Sequence, residues 1–221
     1  TLEAVEAVAA AIRESGGTAW AASCNVTDEA SVEALAQTAH ERLDHVDILV
    51  NNAGASSSAP IERTELEEWD RLFAVNATGV FLCTRAFLPT MRGRGWGRVV
   101  TIASVAGLHG AKYIAAYTAA KHAAVGFTRA AAAEIAGTGV TVNAVCPGYV
   151  DTEMTRRSVE RIVERTGRTP EQALEAILAT SSQHRLVQPD EVAHNVLALC
   201  DPRAGAINGQ AIVLDGGAQT A

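Results

Sequence analysis

Tyr117 and Lys121 stand four residues apart, and Ser104 lies thirteen residues before the tyrosine. One helical turn separates the first two, so a helix would place them on one face with their polar ends in reach of each other. A free tyrosine titrates near ~10 and exchanges protons poorly at neutral pH. An ammonium ~4 Å away favours the phenolate by about 4 kcal/mol at an effective dielectric of ~20, which draws the phenol toward neutrality. Such a tyrosine passes a proton to or from a hydroxyl or carbonyl oxygen. A serine hydroxyl beside the same oxygen would bond to it as charge develops there. The three residues together suggest interconversion of an alcohol and a carbonyl. The spacing is also that of a tyrosine packed beneath a lysine stem, so the surrounding elements decide.

Those elements are legible. Arg98-Val99-Val100-Thr101-Ile102-Ala103 is β-branched and apolar on both faces, the pattern of a strand buried in a parallel sheet. It ends at Ser104, placing the serine at a strand's carboxyl end, where open α/β sheets bind ligands. A loop with Gly107, His109 and Gly110 follows, then an alanine-rich helix expected over about 115–136. Strands are also read at 19–24, 46–50, 140–146 and 210–214, and the last three run into Asn52-Ala53-Gly54, Pro147-Gly148 and Gly216-Gly217. Helices are expected at 1–15, 28–43, 66–91, within 152–180, and at 189–200. Gly16-Gly17 reads as the C-cap of the first and Asp28 as the N-cap of the second. This alternation predicts an α/β fold with a doubly wound parallel sheet, one domain over 1–221.

Taken in order, the motifs resemble those of the short-chain dehydrogenase/reductase family. Asn51-Asn52-Ala53-Gly54 is similar to its Asn-Asn-Ala-Gly turn, and Asn76 in Val75-Asn76-Ala77-Thr78-Gly79 to its helix asparagine. Ser104, Tyr117 and Lys121 are similar to its catalytic residues, and Pro147-Gly148-Tyr149-Val150-Asp151-Thr152 to its Pro-Gly motif. The resemblance implies a Rossmann-like fold and NAD or NADP as cofactor. It implies that Tyr117 exchanges the hydroxyl proton and that Ser104 orients the carbonyl oxygen. Lys121 would lower the tyrosine pKa and hold the nicotinamide ribose, and Asn76 would hold a water linking Lys121 to solvent. Asn25 and Val26 would meet the adenine, Asn52, Ala53 and Gly54 the adenosine and ribose. Pro147, Gly148, Val150 and Thr152 would meet the nicotinamide. The family opens with a glycine-rich turn that cradles the cofactor pyrophosphate, and the numbered residues contain none after a strand. We therefore expect them to omit a first βαβ portion, ~30–40 residues, of a longer polypeptide. A non-catalytic short form is the alternative.

Composition bounds the partners. At 221 residues, with 48% hydrophobic and 19% charged residues, the chain suits one α/β core. Cys24, Cys83, Cys146 and Cys200 form no Cys-x-x-Cys pair, the six histidines no His-x-x-x-His, so no metal site is expected. Widely spaced cysteines suit a reducing cytoplasm. A net charge of −7 argues against nucleic acid. No run of the sequence reads as a membrane span or a leader. Cys146 reads as packed and inert, His122 as structural, and His109 as a candidate substrate contact.

The charged stretch from Glu153 to Pro189 lies where the family builds its substrate lid, here about 152–188. Its arginines, Arg156, Arg157, Arg161, Arg165 and Arg168, read either as a solvated face or as partners for phosphate. The region resembles 3-oxoacyl-thioester reductases and their 3-hydroxyacyl-CoA, polyketide and 3-hydroxybutyrate relatives. Relatives acting on free 3-hydroxybutyrate carry a histidine and a lysine where this chain has Ala106 and Ile114. The expected substrate is therefore a small molecule of the acyl-thioester class, with 3-hydroxybutyrate or another secondary alcohol as alternative. Apolar and small residues on the helices 66–91 (Phe73, Val80, Phe87) and 115–136 (Ala124, Phe127, Ala131) predict a homotetramer, as in the family.

Overall fold

The structure is a computed structural model that describes residues 2–218. Four parallel strands form one sheet in chain order: β1 (Ile48–Asn51), β2 (Gly97–Ile102), β3 (Val140–Pro147) and β4 (Ala211–Leu214). β3 pairs with β2 along Val140–Val145 and with β4 along Ala144–Pro147, and is buried at every residue. Thr141 and Asn143 are buried with the rest, and Asn143 Nδ2 donates to the Ile207 carbonyl at 2.7 Å.

Helices cover both faces. On one lie α2 (Glu29–Leu43), α4 (Gly79–Arg94) and α5 (Ala115–Glu134), whose Ala36, Phe87, Met91, Ala131 and Ile135 close over Val99, Val140 and Val142. On the other lies α8 (Pro189–Cys200), whose Leu199 meets Val100 and Val145. Fully burying side chains of this size contributes about 1.5–3 kcal/mol each. Successive residues of β2 and β3 thus feed opposite cores. The expected α/β architecture is the one observed.

The helix expected at 1–15 is α1 (Leu2–Glu14), with Thr1 outside the described residues. Gly16 and Gly17 donate to the carbonyls of Arg13 and Ile12 and so end it, and the Asp28 side chain accepts from Ala30 N as the N-cap of α2. Within the lid stretch lie α6 (Glu153–Thr166) and α7 (Pro170–Leu178).

Three expectations need correction. The strand at 19–24 does not form: no described residue pairs with its backbone in a ladder, and β1 pairs only with β2. The segment is held instead by Cys24 and Val26 packing on Val32, Leu82 and Cys83. The helix at 66–91 is not uniform. It divides into α3 (Leu66–Phe73), a π-turn (Ala74–Thr78) and α4. Its continuous run, Leu66–Arg94, is moreover long and apolar enough by length and composition to cross a membrane, contrary to the reading of the sequence. Its apolar residues Leu82, Cys83, Phe87 and Met91 are buried in the core instead. Third, Val80, Phe87, Ala124 and Ala131 are buried within the chain itself and leave no outward stripe. The exposed aromatics on these helices are Trp69, stacked on Phe73 at 4.9 Å, and Phe81, 40% exposed and edge-on to Phe127 at 5.9 Å.

Candidate active site

β2 delivers Ser104 at its carboxyl end. There the serine oxygen accepts from Ala106 N at 3.1 Å and caps a 3-10 turn, Val105–Gly107. The turn lies flat on α5. A β-carbon at Gly107 would stand 2.8 Å from the Lys121 carbonyl oxygen, so only glycine lets the loop approach so closely. That contact fixes the serine loop against the helix carrying Tyr117 and Lys121. Ser104 Oγ also lies 3.5 Å from the Pro147 carbonyl at the end of β3.

Lys121 is 5% exposed. Its Nζ donates to the Ile102 carbonyl at 2.8 Å and sits 5.8 Å from the centre of the Tyr117 ring. Burial lowers its pKa to about 8. The tyrosine behaves differently from the sequence expectation. Burial pushes its phenol above the usual value, and the hydrogen bond from Ser104 pulls the other way without reversing it. The ammonium stands over the ring and donates to a backbone carbonyl, with no hydrogen bond to the phenol oxygen in this structure. Tyr117 therefore stays protonated at neutral pH.

Asn76 occupies the centre of the π-turn and is fully buried. Its Nδ2 donates to the carbonyls of Leu72 and Ala55, both at 2.9 Å, and its Oδ1 accepts from Ala55 N at 3.2 Å. One extra residue in the helical turn is what turns this side chain toward the loop after β1. Gly54 lies at the same place: a β-carbon there would be 3.4 Å from Asn76 Oδ1 and 3.7 Å from Lys121 Nζ. Asn52, Ala53 and Gly54 form an exposed ledge beside it. Asn51, one residue earlier, is buried and donates to Thr84 Oγ1 at 3.1 Å.

On the far side, Gly148 N donates to Leu214 O, Asp151 N to Val187 O, and Val187 N to Tyr149 O, each at 2.9 Å. These bonds pin Pro147, Gly148, Val150 and Thr152 at the sheet's carboxyl edge. The Thr152 hydroxyl turns back to Val150 O at 3.4 Å. Asn25 is exposed, and its side-chain oxygen accepts from Thr27 N and Oγ1, so its amide N–H is the group left to face outward. Val26 packs beneath it in the core.

The structure thus brings Ser104, Tyr117, Lys121, Asn76 and Gly54 together, with the Pro147–Thr152 run opposite. Asn25 and Val26 stand apart at the end of the 19–24 segment. Cys146 is buried in the core, where burial raises its thiol pKa. His122 bonds its own helix at Thr118 O, 2.9 Å away, and His109 is exposed on its loop. Two further site features escape sequence reasoning: the Asn76–Ala55 clamp and the inward turn of Arg161 onto Ser56.

A family profile described as short chain dehydrogenase matches residues 1–163. The chain is 40% identical to a 3-oxoacyl-[acyl-carrier-protein] reductase of Synechocystis over 97% of its own length and 81% of that protein's. It is 39% identical to a D-beta-hydroxybutyrate dehydrogenase of Cupriavidus necator over 87% and 75% of the two chains. Among solved structures, a variant of actinorhodin polyketide ketoreductase with NADPH superposes with a TM-score of 0.95 at 38% identity, covering all of this chain and 85% of that one.

Proposed function

Because this chain belongs to the short-chain dehydrogenase family, we propose that it interconverts a 3-oxoacyl thioester, of the CoA or carrier-protein type, and its 3-hydroxy form. At the coarser level it is an oxidoreductase of a CH–OH/C=O pair that uses NAD or NADP. The residues present fit such a cofactor. The side-chain-free position at Gly54 opens onto Lys121 Nζ, and that ammonium, with three donors and one engaged by Ile102, retains others for ribose hydroxyls. The ledge Asn52, Ala53 and Gly54 would take the adenosine ribose, Asn25 and Val26 the adenine, and Pro147, Gly148, Val150 and Thr152 the nicotinamide. When bound, the cofactor supplies or accepts the hydride.

The chain's own residues do the rest. In the reductive direction Tyr117 gives its proton to the carbonyl oxygen as negative charge builds there. The Ser104 hydroxyl donates to the same oxygen and holds it in place. Lys121, cationic below its pKa of about 8, stabilises the phenolate that remains. Asn76 keeps the Ala55 loop in position, and a water held there would return the proton through Lys121.

The observation that carries the thioester reading is the likeness to ketoacyl reductases together with uncharged residues at Ala106 and Ile114. A second reading, a 3-hydroxybutyrate dehydrogenase, is favoured by relatives of that name at 39% and 36% identity. We further propose that 152–188 acts as the substrate lid of a single domain, that the protein is cytoplasmic, and that it is a homotetramer. Reduction of acetoacetyl-CoA, followed by loss of the reduced-nicotinamide absorbance with each cofactor, tests the assignment. No turnover with either cofactor counts against it.

A further inference from the structure

We infer that Arg161 is the specificity residue of the cleft, receiving an oxyanion carried by the substrate. This rests on the oxidoreductase reading above. Among the arginines of α6, Arg156 and Arg157 are exposed and their charges are paired with Glu153 and Asp151. Arg161 turns inward instead. Its Nη2 reaches Ser158 Oγ at 2.9 Å and Ser56 Oγ at 3.4 Å, two residues beyond Gly54. Its Nε is buried with no hydrogen-bond partner. Among the described residues no carboxylate lies within ion-pair distance of it: Glu68, whose charge feels Arg161, is already bonded by Arg71 through both oxygens at 2.7 and 2.8 Å. Burial raises the phenol of Tyr149, within the Pro147–Thr152 run, and the charge of Arg161 pulls it part of the way back.

A half-buried guanidinium held only by hydroxyl oxygens is an unspent bidentate donor. Each of the two substrate classes offers it an oxyanion: a thioester the phosphate of its pantetheine arm, a free 3-oxo acid its carboxylate. Arg165, whose Nη1 bonds the Ser58 carbonyl, latches the same helix to the same loop. A purely latching role for Arg161 is therefore the rival explanation.

The test compares Arg161→Gln and Arg161→Lys with the parent on acetoacetyl-CoA, its N-acetylcysteamine analogue (a neutral thioester with no phosphate), acetoacetate and ethyl acetoacetate. Calorimetric binding of acetoacetyl-CoA and of acetoacetate is measured alongside. Losing a charge-assisted hydrogen bond should cost about 10- to 100-fold in kcat/KM. We expect Arg161→Gln to lower the acetoacetyl-CoA to N-acetylcysteamine ratio by that factor, with Arg161→Lys recovering part. If the loss falls instead on acetoacetate relative to its ethyl ester, the anion is the carboxylate. Equal loss on all four substrates, or no loss on any, overturns the inference. A parent that binds either anion through Arg161 yet reduces nothing supports the anion site and overturns the oxidoreductase reading alone.

Discussion

Asn76 holds Ala55 by both of its backbone polar groups, although the two residues are 21 positions apart in the chain. Asn76 Nδ2 also donates to the Leu72 carbonyl, four residues earlier in the chain. A buried amide with three satisfied bonds ties the helix to the loop carrying Gly54 and Ser56.

Asn76→Ala would remove this partner from the half-buried Ala55 N and O and from the buried Leu72 carbonyl. Each unsatisfied buried group costs about 1–3 kcal/mol, so a loss of at least ~2 kcal/mol is expected in denaturant unfolding. Loosening the loop beside Lys121 should also lower kcat/KM by ~10-fold or more. A variant as stable and active as the parent would show that the clamp is incidental.

Tyr117→Phe removes a single hydroxyl and leaves the ring packing intact. If the phenol is the proton donor, turnover should fall by ~10²–10⁴ or more while the unfolding midpoint barely moves. Comparable turnover in parent and variant would falsify the assignment.

Lys121 gives a pH dependence whose sign can be worked out. Its pKa falls from 10.5 in the unfolded chain to about 8 when folded. Between these values the unfolded state binds more protons, so stability rises with pH through that window. Below about 8 the full penalty applies, about 3 kcal/mol. Lys121→Met removes it, offset by the lost bond to Ile102 O. The parent-minus-variant difference in unfolding free energy should therefore climb from pH 8 to pH 10.5. A flat difference would mean the ammonium is solvated.

How much of this is legible in the sequence depends on the range of the interaction. β3 is readable because its β-branched run ends in a Pro-Gly turn, and the start of α8 because Pro189 and the Gln188–Glu191 box are local signals. Ser104, Tyr117 and Lys121 are readable because a strand end and one helical turn fix their relative positions. The π-turn is not, since it depends on Asn76 meeting a loop far away in the chain. Nor is the direction of Arg161, because Arg156, Arg157 and Arg161 look alike until Glu153 takes two of them. The run at 19–24 has strand composition, but composition does not supply a partner strand.

Assembly is predicted from Phe81. It is 40% exposed beside Phe127, with the Arg85 guanidinium 5.1 Å from its ring centre. An aromatic pair with an adjacent arginine is the composition of an interface centre. We expect a tetramer by light scattering at micromolar concentration, with a dimer as the next species, and a shift to smaller species in Phe81→Glu. A monomeric parent would remove the proposal.

The substrate prediction turns on where a charge could be neutralised. Ala106 is buried with its N–H engaged by Ser104, and Ile114 caps α5 with no polar side chain. Lys121 is buried, with one donor on the Ile102 carbonyl and the others assigned above to the ribose. A free acetoacetate carboxylate on the Ala106–Ile114 side would therefore be desolvated without a cation, which costs several kcal/mol. A thioester carries no charge at that point, and the phosphate of its arm can run out toward α6. The kcat/KM for acetoacetyl-CoA should then exceed that for acetoacetate by at least ~10²-fold, equivalent to about 2.7 kcal/mol. Paired reductase assays with each nicotinamide cofactor measure this ratio directly. A ratio near one would mean that the acid reaches a cation, with Arg161 the candidate argued above, and would promote the hydroxybutyrate reading over the thioester one.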